Sequence, residues 1–256
     1  MHLNNFRKIY RELHFKTPRA FCLVDWIYEL CRLPAQAKKL RALASSKSFL
    51  DVFRVVESFE IFAPAQKRTE ILRLMDLLNA RRPHYICEIG SANGGTTFLF
   101  AQCAAGDAKI ATLDIKCSLP QRIAFSNFAG DDQVITCIRA DSHDKRSVFL
   151  VKRLFSNQAI DFLFIDGDHS YDGVARDFQL YSPLVKERGI IAFHDIVPDS
   201  TTRFGKYSCS NVGQVPKFWS EIKREYGKLC QEIIEDFNQD GYGIGVLQWP
   251  GGQTSI

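Results

Sequence analysis

The stretch HYICEIGSANGGTT (residues 84–97) decides the fold, because an apolar strand runs directly into a glycine-rich turn. Four more short runs rich in β-branched or aromatic residues follow it: KIATLDI (109–115), QVITCIR (133–139), AIDFLFID (159–166) and GIIAFHDI (189–196). Helix-length segments separate the runs, and this alternation predicts a doubly wound α/β sheet of mostly parallel strands. KLCQEIIEDF (228–237) and GYGIGVLQW (241–249) add two closing strands, so we predict seven strands.

The first 83 residues lack this alternation and predict a helical appendage to a domain formed by residues 84–256. The run FCLVDWIYELCRL (21–33) has apolar residues at helical spacing, and Pro34 is predicted to break the helix. A second helix is predicted to begin at Pro64 and to end at Arg81-Arg82-Pro83. Their apolar faces need a partner, so we expect the appendage to cover a substrate or to build a homo-oligomer. The face of the first helix comprises Phe21, Val24, Ile27, Tyr28 and Cys31.

Composition restricts the class of protein. The chain of 256 residues is 46% hydrophobic and 24% charged, which is typical of soluble globular proteins. No apolar stretch is long enough for a membrane span, and residues 1–15 contain no apolar signal-peptide core. We therefore expect a cytoplasmic protein. The eight cysteines form no C-x-x-C pair, which favours free thiols over disulfides or a zinc site.

Charge is distributed unevenly along the chain. Residues 1–84 contain 16 Lys and Arg against 8 Asp and Glu, whereas residues 85–256 contain 17 against 21. The basic front, with Phe6, Phe15, Phe21 and Trp26, permits a non-enzymatic alternative in which it binds a membrane surface or a polyanion. Its cations are scattered and match no nucleic-acid motif, so nucleic acid is not a predicted partner.

Ligands of doubly wound sheets bind at the carboxyl ends of the strands, so candidate site residues are sought there. The glycine-rich turn after the first strand presents backbone N–H groups at the start of a helix. Asp114 ends the second strand and can accept two ribose hydroxyls, and Asp141 and Ser142 end the third and can bind an adenine amine. Each feature also has a structural interpretation, as an ordinary βα turn or as a helix cap.

Titratable residues are concentrated after the fourth and fifth strands. Asp166-Gly167-Asp168-His169 follows the fourth strand, and His194-Asp195 follows the fifth. Such groups are unfavourable beside apolar runs unless they are paired, hydrated or bound to a metal. Asp166, His194 and Asp195 could supply two or three ligands to a divalent cation. Taken singly, each of them could instead be a cap or turn residue.

These motifs together resemble a known family. EIGSANGGTT (88–97), Asp114 and FLFIDGDHSYDGVARDFQLYSPLVKERGIIAFHDI (162–196) resemble the class I S-adenosylmethionine-dependent methyltransferases. More narrowly, the chain is similar to the cephalosporin hydroxylase/rhamnosyl O-methyltransferase-like proteins and the macrolide and sugar O-methyltransferases. The resemblance covers roughly residues 84–250. It implies a Rossmann-like fold, S-adenosylmethionine as cofactor, and O-methylation of a sugar, glycosylated or secondary-metabolite acceptor.

The resemblance also implies residue roles. Metal-dependent relatives hold Mg²⁺ or Mn²⁺ at positions that correspond to Asp166, His194 and Asp195, and His169 corresponds to the general base. Several relatives have Glu-Asp or Asp-Asn where this chain has His-Asp, which favours Mn²⁺ or another transition ion, or a site without metal. The implied cofactor-binding residues are Glu88, Gly90, Ser91, Asn93, Gly95, Asp114, Asp141 and Ser142.

Two enzymatic alternatives use the same sheet. A nicotinamide-dependent oxidoreductase would need a G-x-G-x-x-G turn, which the first strand does not have. A metal-dependent hydrolase could use the Asp/His cluster, but Glu88 and Asp114 would then have no task. The segment DIVPDSTTRFGKYSCSNVGQ (195–214) is long and polar, and it predicts a lid over the acceptor.

Overall fold

The computed structural model describes residues 18–45, 47–130 and 132–252, and for residues 18–28 it describes the backbone alone. The predicted apolar face of the first helix and the aromatic residues of the basic front fall largely outside this range. The side chains concerned are those of Phe6, Phe15, Phe21, Val24, Trp26, Ile27 and Tyr28.

Seven strands form one sheet in the order β3-β2-β1-β4-β5-β7-β6. The first five strands pair in parallel, and β7 runs antiparallel to both β5 and β6. The sequence prediction of a Rossmann-like, mostly parallel sheet is therefore confirmed. Strand order reverses between β1 and β4, where folds of this class form their ligand crevice. The strands are β1 (Tyr85–Ile89), β2 (Lys109–Asp114), β3 (Val134–Arg139), β4 (Ile160–Ile165), β5 (Val185–His194), β6 (Cys230–Ile233) and β7 (Ile244–Gln248).

Helices cover both faces of the sheet. In the described part of the chain, the helices that precede the sheet are α1 (Pro18–Ala44), α2 (Phe49–Glu57) and α3 (Arg68–Arg81). The others are α4 (Gly95–Cys103), α5 (Leu119–Ser126), α6 (Lys145–Leu154), α7 (Tyr171–Tyr181), α8 (Ser200–Phe204) and α9 (Val215–Tyr226). Single 3₁₀ turns occur at Glu60–Phe62, Ser182–Leu184 and Gly227–Leu229. Within the described ranges, no helix combines the length and the apolar character that a membrane crossing requires.

Alternate residues of each strand enter two separate hydrophobic cores. On β4, Phe162 and Phe164 pack in the core that contains residues of α1–α3, while Leu163 and Ile165 pack in the core shared with α7 and α9. This alternation follows from the period of two in a strand. Of the described N-terminal helices, α3 contacts the sheet at β6 and β7, whereas α1 packs on α5 and on α2.

Pro34 does not end the first helix, and this sequence prediction was wrong. Helix α1 continues through Pro34 to Ala44. Proline removes one backbone hydrogen bond inside a helix, but an apolar stripe continues across it and is buried. Leu33, Ala37 and Leu40, which form that stripe, are at most 9% exposed. Burial of this face offsets the local defect.

The second predicted helix begins later than Pro64. Lys67 has extended backbone angles and α3 starts only at Arg68. The preceding chain crosses the start of α4 so closely that a Cβ on Gly95 would lie 2.3 Å from the carbonyl oxygen of Phe62. Glycine is therefore required at position 95 for packing, and the segment before α3 is extended against it.

The cysteines differ from the prediction at one pair. Cys117, in the turn after β2, forms a disulfide with Cys137 of the neighbouring strand β3. The absence of a C-x-x-C motif could not reveal this contact, because the two residues meet through strand pairing. The other cysteines with described side chains are free thiols: Cys31, Cys87, Cys103, Cys209 and Cys230.

Glu88 is a carboxyl group fully buried within β1. Its Oε2 accepts a short hydrogen bond from the hydroxyl of Thr97 on α4, and its Oε1 has no partner among the described residues. Burial raises the pKa of Glu88 to about 7, although nearby threonine hydroxyls oppose the shift. Between the ordinary pKa and about 7, the folded protein therefore binds more protons than the unfolded chain.

Replacing Glu88 by Gln should consequently stabilise the protein at alkaline pH. Stability contributed by a protonated Glu88 is present at low pH and is lost as pH rises through about 7. We expect Glu88→Gln to raise the free energy of unfolding by about 1–3 kcal/mol at pH 8.5 and to change it little at pH 5. Urea denaturation at both pH values measures this, with the exposed Glu57→Gln as control. The same pH dependence in wild type and Glu88→Gln would contradict the assignment.

Candidate active site

A cleft of about 1110 Å³ opens at the carboxyl ends of the first four strands. It lies at the point where strand order reverses, as the topology requires. Its walls come from the turns that follow β1, β2, β3 and β4, and from residues 211–214 of the predicted lid segment. The cleft is therefore large enough for a nucleoside-sized ligand.

The glycine-rich turn after β1 forms the floor of this cleft. Gly90 has a φ of +86°, and a Cβ there would lie 1.9 Å from the carbonyl oxygen of Asp166. Only glycine fits this approach between two central strands. Gly90 and Asn93 line the cleft, whereas Ser91 and Gly95 are buried and do not. Glu88 lies behind the turn and also does not line the cleft.

Asp114 stands at the end of β2 beside this turn. Its two carboxylate oxygens accept hydrogen bonds from the backbone N–H groups of Ala92, at 2.9 Å, and Lys116, at 2.7 Å. Both bonds fix the orientation of the carboxylate, and its remaining lone pairs face the cleft. The geometry suits an acceptor of neighbouring hydroxyls.

Asp141 and Ser142 reach the same cleft from the end of β3. Asp141 is exposed, and its Oδ1 accepts a hydrogen bond of 2.9 Å from the backbone N–H of His143. The Ser142 carbonyl accepts a hydrogen bond from the hydroxyl of Tyr181 on α7. The structure thus brings together around one cleft five of the predicted cofactor-binding residues: Gly90, Asn93, Asp114, Asp141 and Ser142.

A second group of polar side chains converges where β4 and β5 end. Oδ1 of Asp166 lies 3.3 Å from Nε2 of His169 and 3.2 Å from Nδ1 of His194. Asp195 approaches both imidazoles, at 3.6 Å from Nδ1 of His169 and 3.5 Å from Nδ1 of His194. All four residues predicted to carry the chemistry therefore form one cluster.

Charge balance within the cluster follows from these contacts. Burial alone would raise the pKa of Asp166, but His194 and His169 outweigh it and lower that pKa to about 2. Two contacts raise the pKa of His169 to about 9, although burial acts in the opposite direction. One is the hydrogen bond to Asp166, and the other is the carbonyl oxygen of Asn211, which lies 2.5 Å from Nδ1 of His169. Burial raises the pKa of Asp195. Without a bound cation, the imidazoles neutralise the carboxylates.

The donor set of this cluster fits a divalent cation. Asp166, His169 and Asp195 each offer one ligand atom, and these atoms lie within 4.8 Å of one another. Two carboxylates with an imidazole suit Mn²⁺ and similar ions. The sequence analysis included His194 among the candidate metal ligands. Nδ1 of His194 lies 3.2 Å from Asp166 and 3.5 Å from Asp195. Its Nε2 is buried and has no hydrogen-bond partner among the described residues.

Gln66 belongs to the cluster although sequence reasoning did not select it. Its Nε2 donates a hydrogen bond of 2.8 Å to Oδ2 of Asp166, and the side chain is 6% exposed. A single polar residue inside a predicted helix carries no signal of such a contact. The extended segment before α3, which the sequence placed in the helix, is what directs Gln66 into the site.

Glu70 on α3 was also missed. Its fully buried carboxylate accepts hydrogen bonds from the backbone N–H of Glu235, at 3.2 Å, and of Gly243, at 2.9 Å, and from Nε2 of Gln239 at 2.8 Å. These bonds hold the loop between β6 and β7. That loop places the ring of Tyr242 next to the His194 imidazole, with centroids 6.2 Å apart.

The predicted lid segment contacts the cluster directly. The carbonyl oxygen of His169 accepts a hydrogen bond of 2.7 Å from the backbone N–H of Gln214. Asp240 accepts bonds from the Ser200 N–H and the Ser208 hydroxyl, which fixes the segment to the β6–β7 loop. The segment therefore closes one side of the site.

Comparison with known proteins agrees with this architecture. Residues 87–196 match the profile of a family described as a methyltransferase domain. An O-methyltransferase from Bacillus cereus, solved in complex with S-adenosylhomocysteine, superposes with a TM-score of 0.54 at 16% identity, over 86% of this chain and 99% of that one. At this identity the likeness shows the fold.

Two curated relatives are uncharacterized proteins. The chain is 34% identical to protein R132 of Acanthamoeba polyphaga mimivirus, over 42% of this chain and 49% of that protein. It is 30% identical to protein y4gI of Sinorhizobium fredii, over 47% of this chain and 14% of that protein. The chain thus spans half or less of the length of these relatives. Residues 87–196 thus match a methyltransferase-domain family, and they lie within a fold shared with a solved O-methyltransferase.

Proposed function

We propose that the protein transfers a methyl group from S-adenosylmethionine to a hydroxyl oxygen of a sugar, glycosylated or related small-molecule acceptor, with help from a divalent cation. The observation that carries the proposal is the carboxylate–imidazole cluster of Asp166, His169, His194 and Asp195, in which Asp166 and His169 line the cleft. It lies on the strands next to the turn that would hold the cofactor.

The cofactor half of the cleft would be formed by the turns after the first three strands. S-adenosylmethionine supplies a methyl group on a positively charged sulfur, which an aligned nucleophile can displace. Asp114 would accept the ribose hydroxyls, because its backbone bonds already aim the carboxylate at the cleft. Methyl transfer needs three atoms in line, so rigid positioning of this kind is the main contribution of the protein.

Asp166 and Asp195 would hold the cation, with His194 as a third ligand. Such an ion lowers the pKa of a coordinated hydroxyl and so makes a poor nucleophile reactive near neutral pH. Without a cation the pKa of His169 is raised to about 9, so the ring is protonated at neutral pH. A cation held by Asp166 and Asp195 would offset their negative charge and so lower that pKa, and the neutral ring of His169 would then accept the proton that the acceptor loses.

The acceptor would approach from the side of the N-terminal appendage and the lid segment. Gln66 lies against Asp166, and the Lys67 ammonium lies 5.6 Å from the centre of the Tyr242 ring. Residues 211–214 complete this side. These contacts support a covering role for the appendage, and a homo-oligomer formed through it remains a prediction.

Cofactor binding can be measured without knowing the acceptor. Asp114→Ala should weaken binding of S-adenosylhomocysteine by about 1–3 kcal/mol in calorimetry, because hydrogen bonds to a carboxylate are lost. Asp107→Ala is the matched control, since that exposed carboxylate lies at the opposite end of the strands. Unchanged affinity in Asp114→Ala would remove the ribose assignment, and binding of NAD(H) in place of S-adenosylhomocysteine would overturn the proposed function.

Cation binding should depend on both carboxylates of the cluster. We expect Asp166→Asn and Asp195→Asn each to weaken Mn²⁺ binding at least about tenfold, and the exposed Asp172→Asn on α7 to leave it unchanged. Anomalous diffraction from crystals soaked in Mn²⁺ should place a peak about 2.0–2.3 Å from the ligating atoms. A cofactor-bound crystal with no peak at saturating Mn²⁺ would show that the cluster works through its histidines alone.

A further inference from the structure

The turn after β3 is backed by a buried carboxylate for which the chemistry described so far has no use. Asp177 on α7 is fully buried, and within the described residues neither of its oxygens makes a hydrogen bond of ordinary geometry. Its nearest charged-group contact is Nε2 of His143, 3.4 Å from Oδ1. An unpaired buried carboxylate is costly, so this contact needs an explanation.

Helix α7 holds the His143 turn from behind. Asp177 and Tyr181 are one helical turn apart and lie on the same face of α7. Tyr181 donates to the Ser142 carbonyl at 3.0 Å, and Asp177 faces the imidazole of the next residue, His143. His143 lines the cleft. The helix therefore fixes both the backbone and the side chain of this turn.

The carboxylate of Asp177 selects one form of the His143 ring. Burial raises the pKa of Asp177 to about 6, with Ser142 and His143 opposing the shift, so the group is ionised at pH 8. A negative charge 3.4 Å from Nε2 favours the tautomer that carries its hydrogen on Nε2. Nδ1 of the neutral ring is then a hydrogen-bond acceptor. It lies 3.9 Å from Oδ1 of Asp141, so two acceptors stand side by side.

The nucleobase of the cofactor would lie at this place. With the ribose held by Asp114 at the end of β2, the base would extend towards β3, the next strand outward, and over the turn at 140–143. Ile115, which is 62% exposed, offers an apolar surface for the face of the ring. The edge of the base then meets Asp141 and His143.

We infer that His143 and Asp141 together recognise the exocyclic amine of adenine, and that Asp177 is a positioning residue which keeps Nδ1 of His143 in its acceptor form. An amine presents two hydrogens to two acceptors, whereas the carbonyl of hypoxanthine presents only lone pairs and is repelled. The inference rests on S-adenosylmethionine as cofactor and is independent of the acceptor and the cation.

Calorimetry with S-adenosylhomocysteine and with S-inosylhomocysteine, its deaminated analogue, tests this inference at pH 8. The wild type should prefer the adenosyl ligand by about 100-fold or more, because the analogue sets a carbonyl oxygen against the two acceptors of Asp141 and His143 and offers them no donor. His143→Ala should reduce that preference at least about tenfold, and Asp177→Asn should reduce it as well, because an amide can donate to Nε2 and release the other tautomer. His84→Ala is the control, since His84 contacts Asp107 at the opposite end of the strands.

A tautomer measurement covers the case in which Asp177→Asn does not fold. Nitrogen-15 NMR of the wild-type imidazole should show hydrogen on Nε2 of His143. Hydrogen on Nδ1 of His143 would overturn the inference. So would a His143→Ala variant that binds S-adenosylhomocysteine tightly and keeps the full preference for it over S-inosylhomocysteine. Either result would leave the cofactor assignment intact. Failure of the wild type to bind S-adenosylhomocysteine would overturn the cofactor assignment together with the inference.

Discussion

The carboxylate of Asp166 is the contact on which the rest of the site depends. It joins three parts of the chain that are far apart in sequence: Gln66 before α3, His169 after β4 and His194 at the end of β5. The backbone carbonyl of Asp166 also lies so close to Gly90 in the glycine-rich turn that no side chain fits at position 90. One residue therefore connects the wall that would hold the cofactor with the cluster that would act on the acceptor.

This arrangement places opposite charges in a small buried volume. Two carboxylates at the ends of adjacent strands would repel each other, and the pKa values of the cluster show how the histidines relieve that repulsion. The same carboxylates can bind either the imidazolium charge or a cation. Two residues of the appendage act on the cluster. The neutral side chain of Gln66 donates a hydrogen bond that fixes Oδ2 of Asp166, and the negative charge of Glu70 favours the protonated form of His194 and so acts to raise its pKa.

The sequence predicted those features that local patterns encode. Apolar runs followed by glycine or acidic residues located five parallel strands and the residues at their ends, because the carboxyl ends of parallel strands share one edge. The sequence analysis could not predict contacts between side chains of elements that are far apart in the chain. Gln66, Glu70 and Asp177 look like ordinary polar positions of helices, and Cys117 meets Cys137 only through the pairing of β2 with β3. Pro34 was misjudged because burial of α1 outweighs its local propensity.

The hydrogen bonds of Glu70 show that contacts supporting the site come from outside the segment that matches the family profile. The segment matched by the family profile begins at residue 87 and ends at residue 196, so it contains Asp166, His194 and Asp195 but neither Glu70 nor the β6–β7 loop. A transplant of that segment into another scaffold would carry the reactive groups without the carboxylate and the loop that press Tyr242 against His194. A segment that retains these contacts therefore extends at least from Gln66 to the end of β7.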